Sequence, residues 1–418
     1  MDGTYKVPFA RRGSVLDEHD IQALTEVVRS GEALSSGACR DRFEEKFRDY
    51  VGARYALSVT SGTVALEIAI RLLDLQPGDE VIATPQTYQA TVQPLLAHQI
   101  KVRFCDIDPQ SLNIDPTSLR SLITPRTRGV LLVHYGGYPA EMAEIMGIAR
   151  RRGIPVIEDC AHALGARYHG RRPGALGDIG CFSFHTSKNI TTLGEGGMIT
   201  VNRETWARRI DRIRSNEVDG TYAPAGPLAD RAPRVLPWMK YSEGVYQDSC
   251  RSVAGAGTNA TMSEAAAAVG VVQLDKLPVL TARRRWIASR LDEVLEDFPG
   301  VRFHRTQPGL EHAQHLYTFF LPGGPDVRYN LVRALDERGV EVQLRYFPQH
   351  LLPEWRLRGH SIGECPVAER LWFSSHMNLP CHPGLTDDQV DYLIDALREA
   401  LSTVAFPRTG ALACPSST

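Results

Sequence analysis

Lysine is scarce in this chain: 41 arginines stand against only six lysines, at Lys6, Lys46, Lys101, Lys188, Lys240 and Lys276. Any Cys-x-x-Cys pair is absent. The eight cysteines are scattered at Cys39, Cys105, Cys160, Cys181, Cys250, Cys365, Cys381 and Cys414. That spacing gives no support to zinc or redox motifs, so no metal site is expected. No uninterrupted apolar run reaches the roughly 18 residues that span a bilayer, so no membrane role is expected. The opening residues Met1-Asp-Gly-Thr-Tyr-Lys6 hold no apolar signal core. With unpaired thiols, this makes the cytoplasm the expected location. No basic block interrupts a formal net charge of -2, which argues against nucleic acid as a partner.

The 418 residues are enough for a large core and two domains. From residue 55 to about 201, short apolar stretches alternate with helical ones. The strands expected are Tyr55–Val59, Glu80–Ala83, Val102–Ile107, Gly129–His134, Val156–Glu158, Cys181–Phe184 and Met198–Val201. The helices between them include Thr63–Leu73, Ala90–His98 and Ala140–Arg152. Such alternation predicts a mostly parallel sheet wrapped by helices. The expected domains are an N-terminal arm (1–15), a large domain (16–260), linking helices (261–300) and a small α/β domain (301–405), then a disordered tail (406–418). Prolines break the periodicity over 217–257, which reads as an irregular excursion. Two helices, Ser263–Leu277 and Arg283–Leu295, are expected across Pro278. Strands Tyr317–Leu321 and Glu341–Leu344 and helices Arg328–Arg338 and Asp387–Leu401 are expected in the small domain.

Among the lysines, only Lys188 lies between a short aromatic strand and a Gly-rich loop, in Ser183-Phe-His-Thr-Ser-Lys188-Asn-Ile-Thr-Thr-Leu-Gly-Glu-Gly-Gly197. A primary amine that sheds its proton can form a Schiff base with an aldehyde, and arginine cannot. Asp159 follows the apolar strand Pro155-Val-Ile-Glu158. At the carboxyl end of a parallel strand it occupies the place where open α/β sheets bind ligands. A carboxylate facing a pyridine nitrogen keeps it protonated. His162 can bond a cofactor's phenolic oxygen or Asp159. Ser61-Gly62-Thr63 opens a helix, where free amides and two hydroxyls favour a phosphate; alone, the same triplet is an ordinary helix cap. Ser183 can add a hydroxyl. Tyr88 follows a strand end, where its ring can stack on a flat cofactor, although an isolated tyrosine more often serves the core. Jointly these residues point to pyridoxal 5'-phosphate (PLP).

Ordered motifs strengthen that reading: Ser61-Gly-Thr-Val-Ala-Leu66, Thr87-Tyr-Gln-Ala-Thr91, Glu158-Asp-Cys-Ala-His-Ala-Leu-Gly165, Phe182-Ser-Phe-His185, Lys188-Asn189, Gly194-Glu-Gly-Gly197, Gly257-Thr-Asn259 and Met262-Ser-Glu264. On these the chain resembles the DegT/DnrJ/EryC1/StrS family of PLP-dependent sugar aminotransferases, from about residue 8 to residue 402. The resemblance implies a fold-type I PLP-dependent transferase: an α/β large domain with a mostly parallel seven-stranded sheet, plus a smaller C-terminal α/β domain. It implies Lys188 and Asp159 as catalytic residues. It further implies Ser61, Gly62, Thr63 and Ser183 on the phosphate, Tyr88 on the ring and His162 near the phenolic oxygen. Asn259 matches an asparagine that reaches the neighbouring subunit's phosphate, which implies a homodimer with shared active sites. The implied reaction moves an amino group from glutamate or glutamine to a keto sugar, nucleotide-linked, with pyridoxamine 5'-phosphate (PMP) as the intermediate form.

Departures sit near substrate positions. Thr261 stands where the family usually has arginine, Glu141 stands where aspartate is usual, and Gln86 and Gln89 flank Tyr88 atypically. Competing readings are a ketocyclitol aminotransferase, a sugar dehydratase on the same fold, and a non-catalytic regulatory protein. The dehydratases place a histidine where this chain has Lys188, and a complete cofactor constellation argues against the last.

Overall fold

Short stretches whose residues are buried without interruption form the centre of the protein. The computed structural model describes residues 5–9, 11–221, 251–253, 255–305 and 307–406. Seven strands make the main sheet: β1 (Tyr55–Val59), β2 (Glu80–Ala83), β3 (Lys101–Phe104), β4 (Thr127–Val133), β5 (Val156–Asp159), β6 (Ile179–Ser183) and β7 (Gly197–Val201). Their order is β1-β7-β6-β5-β4-β2-β3. The pairs β2/β3, β2/β4, β4/β5 and β5/β6 are parallel, and β7 runs antiparallel between β1 and β6. Every residue of β2, β5, β6 and β7 is buried. A parallel sheet covered on both faces requires such apolar runs, and the mostly parallel α/β architecture read from the sequence is present.

A second, three-stranded antiparallel sheet joins Arg302–Phe303, Tyr317–Phe320 and His376–Leu379. It shares an apolar cluster with the helices Pro325–Glu337 and Asp387–Thr403. Val7 belongs to the same cluster, with hydrogen bonds to Gly339 and Glu341.

Four expected elements are corrected. The helices Ser263–Leu277 and Arg283–Leu295 are one helix, Glu264–Glu296, with Pro278 in its interior. Proline removes one amide, but burial of Leu274, Leu277 and Leu280 on one side and Ile287 and Leu291 on the other carries the helix through. The helix therefore ties the cluster beside the main sheet to the C-terminal one. Its most apolar 18-residue window, of mean hydropathy 1.3, is long enough to cross a membrane by composition, yet 56% of it is buried in the protein, as in a core helix. Ala90–His98 is two 3-10 turns, Gln89–Thr91 and Gln93–Ala97, with Pro94 opening the second. Glu341–Leu344 forms no strand; it makes a single bridge, Gln343 to Asn378. The middle of the 217–257 excursion and the tail beyond 406 lie outside the described residues.

Candidate active site

A cup suited to an anion arises from sheet register. Val59 and Ser183, far apart in sequence, both pair with Gly197 across β7. The start of the helix Gly62–Arg71 is thereby set against the end of β6. The approach is close enough to require glycine. A Cβ on Gly62 would lie 2.7 Å from Ser183 Cβ, and one on Gly197 would lie 2.4 Å from the Ser61 carbonyl oxygen. Ser61 caps the helix, its Oγ accepting from Val64 N at 3.2 Å. Ser61, Gly62 and Thr63 are half-buried around the helix's first turn, whose free amides and dipole favour an anion.

Asp159 ends β5 and is 5% exposed. Thr91 Oγ1 donates to its Oδ2 at 2.7 Å, and the Ala161 amide donates to its Oδ1 at 3.0 Å. The Thr91 hydroxyl also pairs with that of Thr87 at 2.5 Å. Sequence reasoning missed Thr91: a threonine 68 residues from its partner leaves no local signal.

Lys188 is half-buried, and among the described residues no hydrogen bond or ion pair holds its amine. Burial brings its pKa down to about 8, against the attraction of Asp159, while the positive charge of Arg345 lowers it further. The N-terminal arm braces this loop. Gly13 N donates to Thr186 O at 2.9 Å, and a Cβ on Gly13 would lie 2.3 Å from the Lys188 carbonyl oxygen. The buried guanidinium of Arg284 in turn donates to the carbonyls of Gly13 and Cys381, both at 2.6 Å.

His162 does not bond Asp159, one of its two expected partners. Its Nε2 meets the Tyr346 hydroxyl at 3.3 Å, and its buried Nδ1 has no partner among the described residues. His315 stacks on it at 4.2 Å between ring centroids, and Tyr346 lies parallel at 5.9 Å. Burial holds both histidines well below their usual pKa, so both rings are neutral near pH 7. His315 Nδ1 sits 2.9 Å from Asn189 Oδ1 and therefore donates to it. Tyr346 and His315 were not foreseen, because only the tertiary fold carries the C-terminal part of the chain to Lys188. Tyr88 is 51% exposed, its ring 5.9 Å from that of Tyr346. Asn259 is exposed on a segment bridged to Ser215, and the next carbonyl, Ala260 O, accepts from Thr60 N at 3.0 Å.

His134, Glu158 and Cys160 also cluster, with ligand atoms within 4.8 Å of one another. The first two are committed to hydrogen bonds. His134 Nδ1 accepts from the Ala140 amide, so its Nε2 donates to Glu158 at 2.9 Å. Glu158 also accepts from the amides of Gly174, Leu176 and Gly177.

The set fits PLP. It offers a glycine-opened anion cup and a buried carboxylate around one end of the sheet, with an amine and a buried His162 nitrogen that have no partner among the described residues. Comparisons with known proteins agree. The sequence profile of the DegT/DnrJ/EryC1/StrS aminotransferase family matches residues 14–398. The dTDP-4-dehydro-2,3,6-trideoxy-D-glucose 4-aminotransferase of Saccharopolyspora spinosa is 31% identical over 93% of this chain and 95% of its own. The crystal structure of the aminotransferase TlmJ from Streptoalloteichus hindustanus is 30% identical, covering 94% of this chain and 99% of that one, with a TM-score of 0.82. The Spr1654 protein of Streptococcus pneumoniae, in its PMP form, is 25% identical over 96% of this chain and all of its own, also with a TM-score of 0.82.

Proposed function

The chain belongs to the DegT/DnrJ/EryC1/StrS aminotransferase family, and from that premise we propose that it transfers an amino group from glutamate or glutamine to a nucleotide-linked keto sugar. As a member of that family it is a PLP-dependent aminotransferase. The observation that carries the amino-transfer chemistry is a Lys188 amine with no partner among the described residues, its pKa about 8, in the field of buried Asp159 at the carboxyl end of the sheet. The S. spinosa relative, named for a dTDP-linked keto sugar, supports the substrate class.

When bound, PLP supplies an electron sink and a carrier for the amino group. This chain's residues do the rest. Ser61, Gly62, Thr63 and Ser183 would hold the phosphate with hydroxyls, amides and a helix dipole. Asp159 would keep a proton on the pyridine nitrogen. Lys188 would hold the cofactor through its amine and serve as the base that moves a proton at the amino-bearing carbon of the substrate. Tyr88 would lie over the ring and His162 would stand near the phenolic oxygen. Asn259 would reach the phosphate of a second subunit in a homodimer. The unpaired cysteines among the described residues suit a cytoplasmic enzyme.

The test joins chemistry to substrate. Borohydride should fix PLP on Lys188, as read by peptide mapping. The PMP form should aminate a member of a panel of nucleotide-linked 4-keto sugars. Label on another lysine, or turnover of cyclic ketoalcohols alone, overturns the assignment.

A further inference from the structure

Arg345 enters the candidate site with no acidic partner among the described residues. Its Nε donates to Gln343 Oε1 at 2.6 Å, and its Nη1 reaches the Tyr346 hydroxyl at 3.5 Å. A guanidinium has five N–H donors, so two are used and three remain. Among the described residues no carboxylate lies within ion-pair distance of it. Glu341 is one step removed: it accepts from Gln343 Nε2 at 3.4 Å. Asp159 is occupied by Thr91 and Ala161.

The residue is held in place from every side. Its amide donates to Asn378 Oδ1 at 2.9 Å. Its carbonyl accepts from Gln86 Nε2, from His376 Nε2 and from the Tyr135 hydroxyl. The guanidinium packs over the rings of Phe9 and Tyr346, at 5.5 and 5.7 Å from their centroids. It lines the same crevice as His315 and Ser187, the residue before Lys188. Its charge also helps hold down the pKa of Lys188, His162 and His315, which puts the guanidinium within electrostatic reach of all three.

A rigid, half-buried and unpaired fork of this kind matches a carboxylate in two parallel hydrogen bonds. The shared crevice with Ser187 and the reach of its charge to Lys188 select the anion. In an amino-acid donor the α-carboxylate is attached to the carbon whose amine must meet the lysine. In a sugar nucleotide a whole sugar ring separates the phosphates from the reacting carbon. We propose that Arg345 binds the α-carboxylate of the amino-acid donor and sets the enzyme's preference for it. The proposal rests on the aminotransferase reading above.

The PLP-loaded wild type is compared with Arg345→Gln and Arg345→Lys. Calorimetry measures binding of glutarate, an unreactive dicarboxylate, and of dTDP. Spectroscopy follows bleaching of the visible cofactor band by L-glutamate and by 4-aminobutanoate, which is glutamate without its α-carboxylate. In Arg345→Gln, glutarate binding and the apparent affinity for L-glutamate should fall by about tenfold or more, the loss of a charge-assisted pair. The preference for L-glutamate over 4-aminobutanoate should fall by a similar factor, dTDP binding should persist, and Arg345→Lys should recover part of the loss. Equal responses in variant and wild type overturn this assignment alone. Loss of dTDP binding with glutarate binding intact gives Arg345 to the nucleotide phosphates and also overturns it. A wild type that ignores L-glutamate, L-glutamine and glutarate overturns the donor reading and this assignment together.

Discussion

Lys188 shows how much a residue's surroundings add to its chemistry. An ordinary lysine near pH 7 is almost wholly protonated, whereas with a pKa of about 8 roughly a tenth is free amine. Capture of free PLP by cofactor-stripped protein should therefore speed up about tenfold from pH 7 to 9 and then level off. Stopped-flow at the visible band reads this, and a rate still climbing steeply at pH 10 contradicts it. The linkage has a defined sign. Between about pH 8 and 10.5 the unfolded chain keeps this proton and the folded one has lost it, so this group's contribution to stability rises with pH in that window. Asp159 offers a second test. Asp159→Asn should lose most turnover while folding normally. Thr91→Val, which strips Oδ2 of its only donor among the described residues, should cost turnover several-fold, about the worth of a lost hydrogen bond to a charge. If Thr91→Val matches wild type in turnover and cofactor affinity, Thr91 does not position Asp159. Asp159 and Lys188 could be named from sequence because their residue types and Gly-rich or strand-end settings are local. Thr91, His315 and Tyr346 could not, since their value lies only in what they touch.

At the scale of elements, β7 is the device that assembles the proposed phosphate cup. It pairs with β1 and β6 at once, and Gly197 is the residue common to both registers. The helix start and Ser183 then close to a distance only glycine permits. Gly62→Ala should force the helix start and β6 apart, because its Cβ would stand 2.7 Å from Ser183 Cβ. Inorganic phosphate and PLP should both bind at least about tenfold more weakly, in keeping with the loss of well-aligned anion contacts, while circular dichroism stays native. Unchanged phosphate affinity would count against the cup. Elements were legible where a single period ran uninterrupted, as in the sheet. They were misread where proline and tertiary burial pulled in opposite directions. Pro278 halts a helix in isolation but not inside two apolar clusters, and Pro94 leaves Gln89–Ala97 as tight turns.

For the whole molecule the question is which chain completes which site. Asn259 is exposed beside the strand-to-helix corner at Thr60, a position open to a neighbouring subunit. Lys188→Ala and Asn259→Asp should each be inactive alone, the second because a carboxylate repels the phosphate. In a mixed dimer with shared sites, one site carries both lesions and the other neither. Random exchange makes about half the dimers hybrid, each with one sound site of two, so about a quarter of wild-type activity should return. No recovery after exchange verified by mass spectrometry would place Asn259 within its own chain's site.

The sequence by itself determined the parts that depend on local chemistry and short-range order. It settled the alternating strands and helices that require a parallel sheet, the scarce lysine in a Gly-rich loop, the strand-end aspartate and the capped helix start. Their order carried the family resemblance. The tertiary structure decided what depends on distance in space. It set Ser183 against Gly62 through β7 and passed one helix between two apolar clusters. It also leaned Gly13, held by Arg284, on the lysine loop, and brought His315, Arg345 and Tyr346 to the site from more than 120 residues beyond Lys188. No periodicity encodes such meetings, because burial and hydrogen-bond satisfaction are settled across the whole fold at once.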